Sequence, residues 1–199
     1  MIGLMGGTFS PIHYGHLLMC ESIREEFKLK KIIFMLAKRP PHKDSTQIIE
    51  AEDRLQMVKL AISDYPYFEV SDLEMRREGA SYTIDTLKYL KDNLGDSQEL
   101  ALIIGADSMM QLHTWKDYHA ILKLATIIVA PRPDTDERQL EETINQYIAE
   151  LGANILKSSA RALDYASTEI RERVGKGLSI HHLVPPKVEA YIIEKRLYR

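Results

Sequence analysis

Gly6-Gly7-Thr8-Phe9-Ser10-Pro11-Ile12-His13-Tyr14-Gly15-His16 is the stretch whose reading decides the fold. It follows a short apolar run, Met1 to Met5, and leads into a segment with helical spacing, so it reads as the first strand-to-helix turn of an α/β domain. Open parallel sheets bind nucleotides at such turns. Gly6 and Gly7 carry no Cβ, which lets the backbone come close to a phosphate and adopt positive φ, and a helix starting near Tyr14 would aim free N–H groups at an anion. His13 and His16 sit at the mouth of that helix, about one turn apart. A glycine pair after a strand is often no more than a tight turn, and His16 shares a helix face with Cys20, Ile23 and Phe27, as a core histidine would. The combination of Gly-Gly-Thr, an aromatic, a proline and His-x-x-His nevertheless favours a site for a triphosphate. The commoner nucleotide patterns are missing: no G-x-G-x-x-G follows a strand, and no G-x-x-x-x-G-K-[ST] occurs.

Outward from this turn, strand-like and helix-like segments alternate. Met19, Ile23 and Phe27 form a helical stripe, and the apolar run Ile32 to Leu36 completes a right-handed βαβ unit. Leu55, Val58 and Ile62 mark a second helix, Phe68 to Val70 a short strand, and Ile84, Leu87 and Leu94 a third helix. Leu100 to Ile104 is apolar throughout, as a central strand buried on both sides is. A helix over Tyr118 to Leu124, a strand over Thr126 to Ala130, a polar helix over Asp134 to Leu151 and a weak strand over Asn154 to Leu156 continue the pattern. Helices over Ser167 to Val174 and Lys187 to Arg196 finish it. This alternation predicts an α/β fold, a doubly wound, Rossmann-like parallel sheet with helices on both faces. No repeat or linker divides it, so a single domain over residues 1–199 is expected.

Composition narrows the function. At 199 residues and 45% hydrophobic content the chain can fill one core, and two independent domains would be cramped. The net charge of −3 has its cations spread along the chain, unlike the basic stripe of a nucleic-acid binder. Cys20, the one cysteine, excludes an internal disulfide and reads as a small buried hydrophobe. The first strand begins at Met1, and no apolar run approaches membrane-spanning length, so a soluble, cytoplasmic protein without membrane partners is expected.

Functional groups of an open α/β sheet gather in loops after the carboxyl ends of its strands. Four such loops carry candidates. Arg39-Pro40-Pro41-His42-Lys43 places two cations and an imidazole on a proline-stiffened turn; alone it reads as a solvated basic loop. In Ser81-Tyr82-Thr83-Ile84-Asp85-Thr86, Thr83 is a good N-cap and Asp85 suits the first turn that follows. Gly105 would permit close approach of a flat base or ribose, Asp107 lies just beyond it, and Trp115, in polar surroundings, suits stacking on a pyridine ring. In Ala166-Ser167-Thr168-Glu169-Ile170-Arg171, Ser167 or Thr168 is a natural N-cap, and Arg171 falls about one turn on, near enough to reach a phosphate at that terminus.

Together these segments resemble the (H/T)xGH nucleotidyltransferase superfamily, with His13-Tyr14-Gly15-His16 as its motif. Within it the chain is similar to the nicotinate-nucleotide adenylyltransferase family, whose opening reads G-G-T-F-D-P-x-H-x-G-H; Ser10 stands where its Asp is usual. The resemblance runs from Gly3 to about Tyr191 through P-P-H-K, S-Y-T-x-D-T, I-I-G-A-D with a following Trp, and S-S-T-x-I-R, in which Ala166 replaces the first Ser. It implies an ATP site at Gly6, Gly7, Thr8, Phe9, Gly105, Arg132, Ser167 and Thr168, with His13, His16 and Arg171 around the reacting phosphates. It further implies that Lys43 takes the phosphate of the mononucleotide, that Thr83 helps hold the nicotinate carboxylate, and that Asp107 and Trp115 serve ribose and ring.

The expected reaction is adenylyl transfer from ATP to nicotinate mononucleotide, giving nicotinate adenine dinucleotide and pyrophosphate. Mg2+ is expected to arrive with ATP, since no carboxylate cluster suggests a dedicated metal site and the pair His181-His182 reads as a surface turn. A related enzyme such as phosphopantetheine adenylyltransferase or a cytidylyltransferase would share the first and last motifs without needing Tyr82-Thr83 and Trp115. A nucleotide-binding regulator without turnover would not need both histidines and Arg171. An RNA-binding relative of class I tRNA synthetases fits poorly with the chain's length and mild acidity. The sequence leaves a homo-oligomer open, as it does the preference between nicotinate and nicotinamide mononucleotide, which differ by nearly isosteric groups.

Overall fold

The computed structural model describes residues 1–37, 48–77, 79, 81–95, 98–133 and 135–199. Its apolar runs are strands whose side chains alternate between two buried faces. In β1 (Ile2–Gly7), Ile2 and Leu4 pack on one side and Met5 on the other. In β2 (Ile32–Leu36), Ile32, Phe34 and Leu36 face the Met5 side, while Ile33 and Met35 join Ile2 and Leu4. β3 (Phe68–Ser71), β4 (Leu100–Gly105), β5 (Thr126–Ala130) and β6 (Ile155–Lys157) complete a sheet of order β3-β2-β1-β4-β5-β6, with every neighbouring pair parallel.

Helices cover both faces. On the Met5 side lie α1 (Tyr14–Glu26) and α2 (Ala51–Ile62), whose Leu17, Cys20, Ile23, Met57 and Val58 are buried. The short α3 (Leu73–Arg76) follows β3 and leads to the opposite face, which is covered by α4 (Thr83–Leu94), α5 (Ala106–Met110), α6 (Tyr118–Leu124) and α7 (Glu137–Leu151). After β6 the chain returns to the first face with α8 (Ser167–Gly175) and α9 (Pro186–Glu194), which bury Ile170, Val188 and Ile192 beside α1 and α2. The expected doubly wound sheet is therefore found. Strand order reverses between β1 and β4, and in such sheets the crevice at the carboxyl ends of those strands takes the ligand.

Several boundaries differ from expectation. β1 runs on through Gly6 and Gly7, which pair with Met35 and Leu36 of β2; its register with β4 stops at Met5 and Ile103. The two glycines are thus held by β2, beyond the last pairing of β1 with β4. α7 starts at Glu137 because the Asp136 carboxylate accepts the Gln139 N–H at 3.0 Å as an N-cap; Asp134 lies outside the described residues. α9 starts at Pro186, whose fixed φ suits a first helical position, and ends at Glu194. β6 sits one residue later than expected. Cys20 is fully buried, as expected, with its thiol 3.0 Å from Met5 Sδ. Among the described residues no helix is long and apolar enough to cross a membrane.

Candidate active site

Where the chain leaves β1, Phe9 takes a positive φ of 48° and turns its ring back beneath Gly7. A Cβ on Gly7 would lie 2.5 Å from that ring, so glycine is required there by the chain's own packing. Phe9 is 2% exposed and meets His16 and Phe34 edge-on at 5.2 and 5.7 Å. Its ring is a prop under the turn, leaving Gly6, Gly7 and Thr8 as the upper surface. Among the described residues, a Cβ on Gly6 would meet nothing within 4 Å. From below, Arg54 of α2 fixes the turn: its Nη1 donates to the carbonyls of Thr8 and Ala37, both at 2.8 Å, and its Nε to that of Ile49 at 3.1 Å. This arginine is 1% exposed, and the three carbonyls compensate the cost of burying its charge.

His13 is the N-cap of α1 and His16 its third residue; the His16 N–H donates to the His13 carbonyl at 3.0 Å. Their rings stack at 3.7 Å, and the ring of Tyr165 lies nearly parallel to His13 at 5.9 Å. The His13 backbone N–H donates to His16 Nδ1 at 3.4 Å, so the neutral His16 ring carries its proton on Nε2. His13 is 4% exposed, and its buried Nδ1 has no partner of hydrogen-bonding geometry among the described residues. Burial, helped by the charge of Arg132, lowers its pKa to about 3. His13 is therefore a neutral imidazole across the physiological range. A Cβ on Gly15 would come within 2.6 Å of Tyr165 Cβ, so glycine there lets the Tyr165 loop close over the histidines.

α8 is tied directly to the opening turn. Ser167 Oγ donates to the Pro11 carbonyl at 2.9 Å. Arg171 Nη1 donates to the Ser10 carbonyl at 2.9 Å and Nη2 to Thr168 Oγ1 at 3.1 Å. Neither Ser167 nor Thr168 is the N-cap, contrary to expectation; Ala166 is, and both hydroxyls are engaged elsewhere. Residues about 160 positions apart in sequence thus share one end of the sheet. Arg132, after β5, lies over Gly105, where a Cβ would sit 3.2 Å from its Nε. A cleft between the start of α1, the segment after β5 and the loop after β6 is lined by His13, His16, Arg132, Arg161 and Tyr165. The sequence reading gave no role to Arg161 or Tyr165; their position after β6, on a loop that closes over the first turn, is the signal that marks them. That loop is pinned at its base by Glu26, whose carboxylate accepts from Ser158 Oγ and from the N–H and Oγ of Ser159.

A second group lies at the same edge of the sheet. Thr83 is the first residue of α4 and Tyr82 its N-cap, so the expected Thr83 cap is not formed, while Asp85 occupies the first turn as expected. Lys116 reaches Asp85 Oδ2 at 3.6 Å and lies 4.3 Å from the centre of the Tyr82 ring, which joins the Trp115 loop to that turn. Trp115 is half-buried against the core beside Leu112, less exposed than its polar neighbours in sequence suggested. Asp107 is exposed in the first turn of α5, two residues past Gly105. Lys43 and the remainder of 38–47 lie outside the described residues. Among the described residues no three His, Cys, Asp or Glu side chains converge as a metal site would require.

A family model described as cytidylyltransferase-like matches residues 4–173. A Thermoanaerobacter sp. (strain X514) protein named "Probable nicotinate-nucleotide adenylyltransferase" is 42% identical over 198 residues, covering 100% of this chain and 94% of its own. A Moorella thermoacetica protein of the same name is 44% identical over 198 residues, covering 100% of this chain and 91% of its own. Plasmodium falciparum nicotinic acid mononucleotide adenylyltransferase complexed with NaAD has the same fold, with a TM-score of 0.79 at 19% identity over 99% of this chain and 96% of that one. On the sequence matches, which span its whole length, the chain belongs to the nicotinate-nucleotide adenylyltransferase family.

Proposed function

We propose that the chain transfers the adenylyl group of ATP to nicotinate mononucleotide, forming nicotinate adenine dinucleotide and pyrophosphate on the route to NAD. The observation that carries this reading is the junction of α8 with the opening turn, where Arg171 and Ser167 bond the carbonyls of Ser10 and Pro11 beside the stacked histidines. One polyphosphate chain can then be held by both.

In the reaction a phosphate oxygen of the mononucleotide forms a bond to the α-phosphorus of ATP as the bond from that phosphorus to the β-bridging oxygen breaks. The nucleophile is already anionic and pyrophosphate leaves as an anion, so no general base or covalent enzyme intermediate is required. The task is to bring two polyanions together and stabilise the charge that shifts onto the leaving group. In this reading Gly6, Gly7 and Thr8 receive the phosphates along the backbone, with Phe9 as the support beneath. The imidazoles of His13 and His16 hold oxygens near the α-phosphate. Ser167, Thr168 and Arg171 take the β/γ end, and Arg132, with Gly105, takes the nucleoside side. Lys43, Thr83, Asp107 and Trp115 serve the mononucleotide. Mg2+ would enter as part of the ATP substrate and offset the charge of the polyphosphate.

The test is product analysis with ATP and, in parallel, nicotinate mononucleotide, nicotinamide mononucleotide and phosphopantetheine. Dinucleotide and pyrophosphate in equal amounts, fastest with nicotinate mononucleotide, support the reading. Turnover with phosphopantetheine alone, or ATP binding without pyrophosphate release, would sink it.

A further inference from the structure

The polyphosphate end of the site is braced by a segment with no expected role in the reaction. After α9 the backbone curls, with Arg196 and Tyr198 both in the left-handed region at φ of 53° and 63°. That conformation costs a non-glycine residue about 1–2 kcal/mol. Leu197, between them, packs against the core, and its N–H bonds the Ile192 carbonyl at 3.0 Å. The curl brings the Tyr198 hydroxyl to 3.1 Å from Ser10 Oγ. Ser10 is 3% exposed, so few other partners can reach that hydroxyl. The carbonyl of the same Ser10 accepts from Arg171 Nη1 at 2.9 Å. One buried residue therefore connects the Tyr198 phenol to the Arg171 guanidinium. Burial keeps the phenol neutral despite the nearby Arg171 and Arg54, so it stays a hydrogen-bonding group and does not become a counter-charge.

We propose that Tyr198 is a positioning residue for the leaving-group end of the site: by holding Ser10 it fixes the plane in which Arg171 presents its remaining N–H donors to pyrophosphate. The proposal rests on the adenylyl-transfer reading. A guanidinium binds phosphate through donors in a fixed fork, so a small rotation about its stem misaligns the pair. Misplacement of about 1 Å at a reacting centre can cost on the order of a hundredfold in rate.

Tyr198→Phe removes the hydroxyl and keeps the ring. The expected result is a fall in kcat of about tenfold or more, with weaker product inhibition by pyrophosphate and an unchanged KM for nicotinate mononucleotide. Loss of one hydrogen bond should lower Tm by about 2–4 °C. Ser10→Ala should cause the same kinetic loss, and the double variant should lose no more than either single one, because both break one connection. Wild-type values for kcat and pyrophosphate inhibition in Tyr198→Phe would overturn the proposal. So would equal losses toward both substrates, which mark a general loosening. If wild type makes no dinucleotide, the adenylyl-transfer reading falls by itself. Calorimetric titration of wild type and Tyr198→Phe with inorganic pyrophosphate then still decides the brace, which requires weaker binding by the variant.

Discussion

Replacing His13 by Gln should change how stability depends on pH, by an amount that follows from the burial of the ring. His13 has a pKa of about 3 in the folded chain against 6.5 for an ordinary histidine, because burial and then Arg132 disfavour the imidazolium. Between those values the unfolded chain binds a proton that the folded chain refuses. The stabilising contribution is therefore complete above the unfolded pKa and declines as pH falls from there toward the folded one. Each pH unit well below 6.5 costs about 1.4 kcal/mol, so acidification from pH 7.5 to 5 should cost about 2 kcal/mol through this residue alone. Gln cannot titrate, so its variant should escape that part of the loss. Urea unfolding of both proteins across pH 5–8 measures it, and contributions from other histidines cancel in the difference. The stability gap between wild type and variant should shift by about 2 kcal/mol in favour of Gln on going to pH 5. A gap independent of pH would falsify the claim that His13 is held neutral, and with it the picture of a hydrogen-bonding imidazole beside the α-phosphate.

Other outcomes follow from the same geometry. His16→Ala should lower kcat about 10²- to 10³-fold, the cost of removing one charge-stabilising donor, with the protein still folded; near-normal turnover would remove His16 from the reaction. Gly6→Ala should leave Tm within a few degrees, since none of the described residues lies within 4 Å of the added Cβ, but raise the KM for ATP about tenfold or more; an unchanged KM would mean that phosphate does not pass over this glycine. Arg54→Met should leave the carbonyls of Thr8, Ala37 and Ile49 without this donor. At about 1–3 kcal/mol each, that predicts a fall in Tm of about 10–20 °C together with a loss of activity, and a stable, active variant would show that Arg54 does not organise the turn.

The sheet was legible because each central strand is buried on both faces, which makes runs such as Ile32–Leu36 apolar without interruption. α3 and α5, with 4 and 5 residues, are too short for a helical period to show. Hydroxyls near a helix start look like caps from sequence, but Ser167 spends its Oγ on Pro11, 156 residues away. Trp115 looked exposed among polar neighbours, whereas the 3-10 turn Leu112–Thr114 places it against the core. Arg54 reads as an ordinary charged helix position because its partners, Thr8, Ala37 and Ile49, come from three separate places in the chain. Tyr198 and Ser10, 188 residues apart, leave no local pattern at all. What the residues themselves carried about the site was the opening turn, from its glycines and histidines, the reach of Arg171 and the stacking surface of Trp115; the roles of Lys43, Thr83, Asp107 and Arg132 came from family resemblance.

The central claim is that the opening turn and α8 grip one polyphosphate and leave its innermost phosphorus open to a second phosphate. A crystal structure with a non-hydrolysable ATP analogue and nicotinate mononucleotide tests it most directly. It should place His16 Nε2 and the Arg171 guanidinium about 2.7–3.2 Å from oxygens of the same polyphosphate, with the mononucleotide phosphate facing the α-phosphorus opposite the departing bridge. A polyphosphate bound away from Arg171, or a mononucleotide phosphate with no line of approach to that phosphorus, would contradict it.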